Sequence, residues 1–375
     1  MKKILVTSTD LMMVQFLAPH ILHLRSIGYH VDVACSNVGD RINEVIEKIG
    51  QNNVFQLHLS RSPFRLLNLK GFFELEDLIN RGCYDLVWTN EPVMGVITRL
   101  AARKARNRGT RVVYMVHGYH FFKGSAHWLW MFYPIERLAS KYCDAIITIN
   151  CEDYQLTKEK FFAHKVYKLN GIGIDEGRFN DLLDRECMRK KLGLSNDLFL
   201  LISVGELKPH KNHETLLRAV AMIHSSNVHC LICGKGELLD YLKKLATQLG
   251  VEKKVHFLGY RKDIPSCLNC SDLFVFPSCR EGLGLAALEA MYVGLPVVGS
   301  NVRGIVDYVR DNYTGFLANP KHPDEFATAI DSIVQDKDMQ FRLSENCKRE
   351  MLAYRLNEIK KDLARIINTL MEDKV

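Results

Sequence analysis

No window of this sequence approaches the roughly 20 uninterrupted apolar residues that a spanning helix needs, even though 47% of its 375 residues are hydrophobic. The N-terminal MKKILVTSTD has a short apolar run without a small-residue cleavage site, which argues against a secretory leader and for a cytoplasmic chain. A G-x-G-x-x-G fingerprint is missing after the first strand, where STDLMMVQ stands instead. A nicotinamide or flavin dinucleotide site therefore has no support. The one Asp-x-Asp, Asp336-Lys337-Asp338, falls between C-terminal helical segments far from any strand end. It reads as a solvated turn, not as a grip for a metal–nucleotide complex. A nucleic-acid module is lacking too, which puts nucleic acid last among partners for a basic chain.

The 11 cysteines are an odd number scattered through apolar segments, the pattern of reduced thiols and not of a disulfide framework. Cys230 and Cys233 share a strand-like VHCLICG that points them to opposite faces, and Cys267 and Cys270 share a short helical IPSCLNCSD. The stretch between the pairs exceeds zinc-ribbon spacing, so they read as buried structural thiols and no metal site is expected. The net charge of +7 is unevenly placed. Residues 1–175 hold 22 Lys+Arg against 16 Asp+Glu, net +6, and residues 176–375 hold 28 against 27, net +1. A basic N-terminal half suits an anionic lipid surface or a phosphorylated ligand.

Short β-rich runs alternate with helical patterns from end to end, which predicts the α/β class with parallel sheets and crossover helices. In the first half the strands read ILVTST, VDVACS, VFQLHL, DLVWTN, RVVYMVHG, DAIITIN and KVYKLNG, and Gly28 closes the first helix. The rhythm breaks at residues 171–187, GIGIDEGRFNDLLDREC, read as the domain connection. It resumes with LFLLISVGEL, VHCLICGKG, KVHFLGY, DLFVFPS and PVVGSN. Two Rossmann-like domains are expected, 1–175 and 176–355, with a C-terminal helix over 356–375 packing back on the first.

Ligands of open α/β sheets lie beyond the carboxyl ends of the strands, where helix N-termini offer N–H groups. In SVGELKPHKNHETL, Gly205 follows the strand and Lys211 stands just before a helix capped by Asn212, a point charge placed for a phosphate. In VHFLGYRKDI, Gly259 turns the chain sharply and leaves peptide groups, beside Tyr260, for a base edge. In EGLGLAALEAMYVGLPVV, Glu281 precedes a helix, and Gly282 and Gly284 admit a ligand to the amides of Leu283, Gly284 and Leu285. Glu289 follows eight residues later, roughly 80° round a 3.6-residue helix, in an apolar run where an unpaired charge is costly. Two carboxylates at different depths suit the vicinal hydroxyls of a ribose or hexose.

The pattern PS-x-x-EG-x-GL-x-x-LEAM-x-x-G-x-PVV-x-S, with Glu281 and Glu289 in it and Lys211-Asn212 upstream, resembles the retaining glycosyltransferases of family 4. Their fold is GT-B, two Rossmann-like domains facing across a cleft. The resemblance implies a nucleotide-diphospho-sugar, of the UDP type, held by the C-terminal domain without a metal or other cofactor. It assigns Glu289 to the ribose hydroxyls, Glu281 to the donor sugar, and Lys211 with the amides after Gly282 to the leaving diphosphate. One position departs from the family, which usually has Arg after the glycine matched by Gly205; here Glu206 stands. Arg280 or Arg303 is the candidate for the missing cation. His117, at the end of RVVYMVHG, matches a strand-end histidine that faces the donor sugar in the family. Retention without an evident nucleophile implies a front-face reaction in which the leaving phosphate takes the acceptor proton.

His120 and Lys123 follow in HFFKGSAHWLWMFYP, a stretch that suits either a core helix or a platform for an apolar acceptor. Residues 61–73, RSPFRLLNLKGFF, mix Arg61, Arg65 and Lys70 with Phe and Leu, and residues 99–111 bring six cations, Arg103 and Lys104 among them. Such segments fit adsorption to an anionic membrane, and HGYHFFKG is similar to bacterial capsule and exopolysaccharide transferases. The expectation is a peripheral enzyme at the inner face of the plasma membrane. It extends an undecaprenyl-diphosphate-linked saccharide in surface polysaccharide synthesis, of capsule, exopolysaccharide or lipopolysaccharide. A transferase with a soluble acceptor and a silent nucleotide-sugar-binding partner, the latter motivated by Glu206, are the competing readings.

Overall fold

Strands buried on both faces read as continuous Val, Ile and Leu runs, and parallel sheets require that pattern. A computed structural model of the chain describes residues 1–9, 11–36 and 42–372. The first sheet has seven strands, β1 (Lys3–Ser8), β2 (His30–Ser36), β3 (Val54–Leu57), β4 (Leu86–Asn90), β5 (Arg111–Val116), β6 (Ala145–Thr148) and β7 (Lys165–Lys168), in the order β3-β2-β1-β4-β5-β6-β7. The second has six, β8 (Phe199–Val204), β9 (Val228–Cys233), β10 (Val255–Gly259), β11 (Leu273–Phe276), β12 (Val297–Ser300) and β13 (Gly315–Ala318), in the order β10-β9-β8-β11-β12-β13. Pairing is parallel across the switch pairs β1–β4 and β8–β11 as elsewhere among the described residues. Each order reverses once, between β1 and β4 and between β8 and β11, and such reversals open a crevice at the carboxyl ends of the strands.

The chain folds as two compact units, Met1–Gly173 with the segment from Asn357 onward, and Ile174–Leu356. Each has its own core, built in the first around Leu5, Val87, Tyr114 and Ile146 and in the second around Leu201, Ile232, Val275 and Phe326. The last helix, Leu356–Glu372, is bonded to the first unit: Lys2 Nζ donates to the Met371 carbonyl at 3.3 Å, and Tyr29 Oη donates to Asn368 Oδ1.

Three local expectations are corrected. Strand β13 was not among the expected strands, because GFLA is too short to carry a period and gains its place only by pairing with β12. Asp336 is no loose turn residue; its Oδ1 accepts from Met339 N at 2.8 Å and caps the helix Lys337–Glu350. Glu281 lies four residues before the helix Leu285–Tyr292, so a helical angle between it and Glu289 has no meaning.

Candidate active site

Lys211 and Glu281 follow β8 and β11, the strands that flank the switch point of the second sheet, and meet as an ion pair. Lys211 Nζ donates to Glu281 Oε1 at 2.5 Å, and the ammonium lies 5.5 Å from the Phe276 ring centroid. Asn212, at φ 56°, ends the single turn Pro209–Lys211. Its side chain caps no helix; it donates to the carbonyls of Pro277 and Pro320 at 3.0 and 2.8 Å. This amide ties the Lys211 turn to the loop that carries Glu281, and Cys279 N donating to the His210 carbonyl at 2.8 Å is a second tie.

The backbone just after Glu281 is clamped from behind. Gly304, at φ 79°, sits so close that a Cβ there would meet the Gly282 carbonyl oxygen at 2.6 Å. Tyr308 Oη donates to the Leu283 carbonyl at 2.9 Å. Gly284, at φ 94°, heads the helix Leu285–Tyr292, and among the described residues no side chain caps it. The first N–H groups of such a helix lack intrahelical partners and present partial positive charge.

Glu289 is buried in that helix, and its Oε1 accepts from Arg178 Nη1, which arrives on the single turn Glu176–Phe179. Burial raises the Glu289 carboxyl above its ordinary range while Arg178 pulls it back. Positive charge gathers around Glu281. Arg303, buried in the loop after β12, joins Arg280; burial lowers the Arg280 pKa, the Arg303 charge lowers it further, and Glu281 opposes both. Glu206 turns outward: its side chain is 61% exposed, and Lys208 Nζ at 2.8 Å holds its carboxyl below the usual range.

The switch point of the first sheet also carries a carboxylate. Glu91, directly after β4, has φ 65° and ψ 152°, a strained backbone for a residue with a Cβ. Its Oε2 accepts from Ser8 Oγ and Thr9 N, both at 2.7 Å, and the Arg61 guanidinium stands 3.8 Å from Oε1. His117 follows β5 with Nε2 3.1 Å from Asn90 Oδ1. Because Asn90 Nδ2 donates to the Thr7 carbonyl at 3.3 Å, Oδ1 faces the imidazole, so Nε2 carries the proton and Nδ1 is an acceptor. His117 is half-buried, and burial, and then the His20 charge, pushes it down to about 4. It is neutral at neutral pH.

Residues 184–350 match the model of glycosyl transferases group 1, and residues 5–150 that of glycosyl transferase 4-like. EpsD of Bacillus subtilis (strain 168), named as a glycosyltransferase, is 32% identical over 379 residues, 99% of this chain and 97% of that protein. The chain belongs to the group 1 glycosyltransferases. A second relative, the UDP-Gal:alpha-D-GlcNAc-diphosphoundecaprenol alpha-1,3-galactosyltransferase of Escherichia coli, is 31% identical over 304 residues, 78% of this chain and 77% of that protein. Anabaena HepE, solved in complex with UDP and glucose, matches 98% of this chain and 100% of its own with a TM-score of 0.80 at 21% identity. The fold is GT-B.

In this glycosyltransferase, the second unit brings Lys211, Glu281 and the Gly282–Leu285 backbone into one cluster with Gly205, whose Cβ position is 3.5 Å from the Lys211 side chain. Gly259, at φ 66°, and the exposed Tyr260 come from β10, two strands away at the sheet edge. In the first unit, Arg61 and His120 line one cavity, while Arg65 and Lys123 are exposed. Arg103 and Lys104 are engaged elsewhere: Arg103 lies 4.7 Å over the Tyr142 ring, and Lys104 pairs with Glu76 at 3.1 Å. The basic stretch 99–111 is no continuous amphipathic segment. Arg99 is buried against Glu136 at 2.6 Å, Arg106 binds Asp144, and Arg111 opens β5. Sequence reasoning missed Glu91, Asn90 and Arg178. An acid set between a strand end and Pro92 was the available signal for Glu91, and Arg178 stood unread inside the supposed connection.

Proposed function

We propose that this glycosyltransferase moves a sugar, with retention, from a UDP-sugar to a saccharide carried on a lipid diphosphate. The observation that carries the reading is the Lys211–Glu281 pair, set before an uncapped helix N-terminus with Arg280 and Arg303 beside it. Lys211, Arg280 and Arg303 gathered at this helix N-terminus are the complement of a sugar-nucleotide diphosphate. When the diphosphate takes Lys211, Glu281 is released to accept hydrogen bonds from donor-sugar hydroxyls. Glu289, ionised beside Arg178, accepts from the ribose hydroxyls, and His117 Nδ1 accepts from a sugar hydroxyl. The bond from the sugar C1 to the diphosphate oxygen breaks, and the acceptor hydroxyl oxygen bonds to C1 from the same face. Its proton passes to the departing diphosphate. Fixed cations and helix amides stabilise that leaving group, the work a metal performs in other transferases.

The printed name of the Escherichia coli relative, with UDP-Gal as donor and a diphosphoundecaprenol-linked acceptor, supports both the UDP and the lipid parts of the reading. The UDP complex of HepE supports the first. Retention rests on the resemblance to retaining enzymes, and a place at the inner face of the plasma membrane in surface polysaccharide synthesis follows from the acceptor. Glu206, turned out and held by Lys208, does not argue for a silent protein.

Thermal unfolding with UDP, GDP and ADP tests the donor site, since a ligand that binds only the folded state raises the midpoint. UDP alone is expected to raise it, and Glu289→Ala and Lys211→Ala to abolish the rise. Glu281→Ala keeps the UDP shift and loses transfer. A rise that survives both of the first two variants, or transfer that survives the third, removes the assignment.

A further inference from the structure

Three strand ends meet at the switch point of the first sheet, and one side-chain amide joins them. In the parallel register Asn90 stands opposite Met115, so His117, two residues further on, projects to the same face as Asn90. On the other side, Thr7 of β1 pairs with Thr89, the residue before Asn90. The Asn90 side chain is fully buried and uses both ends of its amide: Nδ2 donates to the Thr7 carbonyl at 3.3 Å, and Oδ1 accepts from His117 Nε2 at 3.1 Å. A backbone carbonyl only accepts, so the amide has one orientation in this setting, with its oxygen toward the ring.

The peptide that carries Asn90 is held from its far side as well. Glu91 lies at φ 65° and ψ 152°, a region that belongs almost to glycine alone and persists in another residue only where the surroundings over-determine it. Here Ser8 Oγ and Thr9 N, both at 2.7 Å, fix its carboxylate at the end of β1. Strain of this kind concentrates at ligand sites, and the crevice at a switch point is where open α/β sheets bind their ligands. A third observation concerns the ring itself. Among the described residues none hydrogen-bonds to His117 Nδ1, so one nitrogen has a built partner and the other has no protein partner.

We propose that Asn90 is a positioning residue for the transfer reaction: it holds the His117 proton on Nε2 and thereby presents Nδ1 as an acceptor to a hydroxyl of the donor sugar. The inference rests on the sugar contact proposed above for His117 and adds the residue that makes the ring an acceptor. A neutral imidazole carries its proton on either nitrogen, and the hydrogen bond made by one nitrogen decides the role of the other. With the proton on Nδ1 the ring would donate instead, and the hydroxyl would have to turn its own hydrogen elsewhere. Asn90 is itself fully buried and acts through the ring.

The experiment records the ring nitrogens of isotope-labelled histidines in the full chain by NMR at neutral pH, the His117 signals being identified by their loss in His117→Gln. A protonated ring nitrogen and a bare one resonate far apart, so the tautomer is read directly. The wild type is expected to show a bare Nδ1 and a protonated Nε2. Asn90→Leu, which removes the acceptor at little change in volume, moves the proton to Nδ1. It lowers kcat/KM for the preferred donor of a UDP-hexose and UDP-N-acetylhexosamine panel on the order of tenfold, the scale of one mismatched hydrogen bond, and leaves the affinity for UDP unchanged. Asn90→Asp, whose carboxyl still accepts from Nε2, regains the Nε2 tautomer and the greater part of the activity. A purely structural asparagine would tolerate the apolar residue at least as well as a buried acid. The ring signals of His20 and His58, held by the Ile172 carbonyl at 2.7 Å and by Glu74 at 2.8 Å, show that the first unit is folded in each variant. A wild-type proton on Nδ1, an unmoved proton in Asn90→Leu, or equal activity of Asn90→Leu and the wild type overturns the proposal. A wild type with the expected tautomer, and the expected change in Asn90→Leu, that transfers from none of the panel to a lipid-linked saccharide overturns the function reading and leaves the tautomer assignment standing.

Discussion

Glu289 is an acid in an apolar helix, and the cost of burying it is what made it readable in the sequence. Its partner was not readable, because Arg178 lies 111 residues earlier in a loop with no pattern of its own. Lys211 and Glu281, 70 residues apart, were each legible as strand-end residues, while their ion pair was not. Glu91 was hidden for a different reason: only the backbone angle that turns its carboxylate back onto Ser8 and Thr9 gives it a role. A pH dependence follows at this scale. With the ribose hydroxyls donating to the Glu289 carboxylate, as proposed, UDP affinity is expected to fall as pH drops through a carboxyl pKa that burial has raised. In Arg178→Ala the compensating charge is gone and the fall begins at higher pH. Calorimetric UDP titrations of the two proteins between pH 5 and 8 check this, and superimposable curves would contradict it.

The helix Leu285–Tyr292 illustrates what an element needs beyond its own residues. Its apolar run and leading glycines were legible, and most of the strands around it were too, since runs of Val, Ile and Leu set between helical patterns leave few alternatives. The clamp behind its N-terminus was not, because Gly304 and Tyr308 reach it from the segment after β12. The six cations of 99–111 misled in the opposite sense. A charge pattern counts side chains, and the packing of Arg99 onto Glu136 at 0% and 4% exposure withdraws one from the surface. Gly304→Ala is expected to displace the 282–284 backbone and lower UDP affinity roughly tenfold, about 1.4 kcal/mol of strain. The same variant with unaltered UDP affinity would show that the amides are positioned without the clamp.

Across the whole molecule, each unit buries a neutral histidine. His20 in the first and His213 in the second are 2% and 3% exposed, and burial is the main cause that brings each to about 4. An unfolded histidine takes a proton near 6.5. Between that value and 4 the unfolded chain therefore binds protons that the folded chain refuses. Stability is complete above pH 6.5 and is lost as pH falls toward 4, on the order of 3 kcal/mol for each site. Urea midpoints between pH 7 and 4.5 should decline, and His20→Gln and His213→Gln should each flatten the decline by about one proton's slope. A profile no flatter in either variant would refute the assignment.

The chain leaves the first unit after Gly173 and returns to it at Asn357. During synthesis the second unit is contiguous and can close as soon as its own residues have emerged, whereas Lys2 and Tyr29 of the first find their partners in the final helix only once it has been made. The half made first at the ribosome is the half completed last, and for that interval its sheet stands without the helix that finishes it.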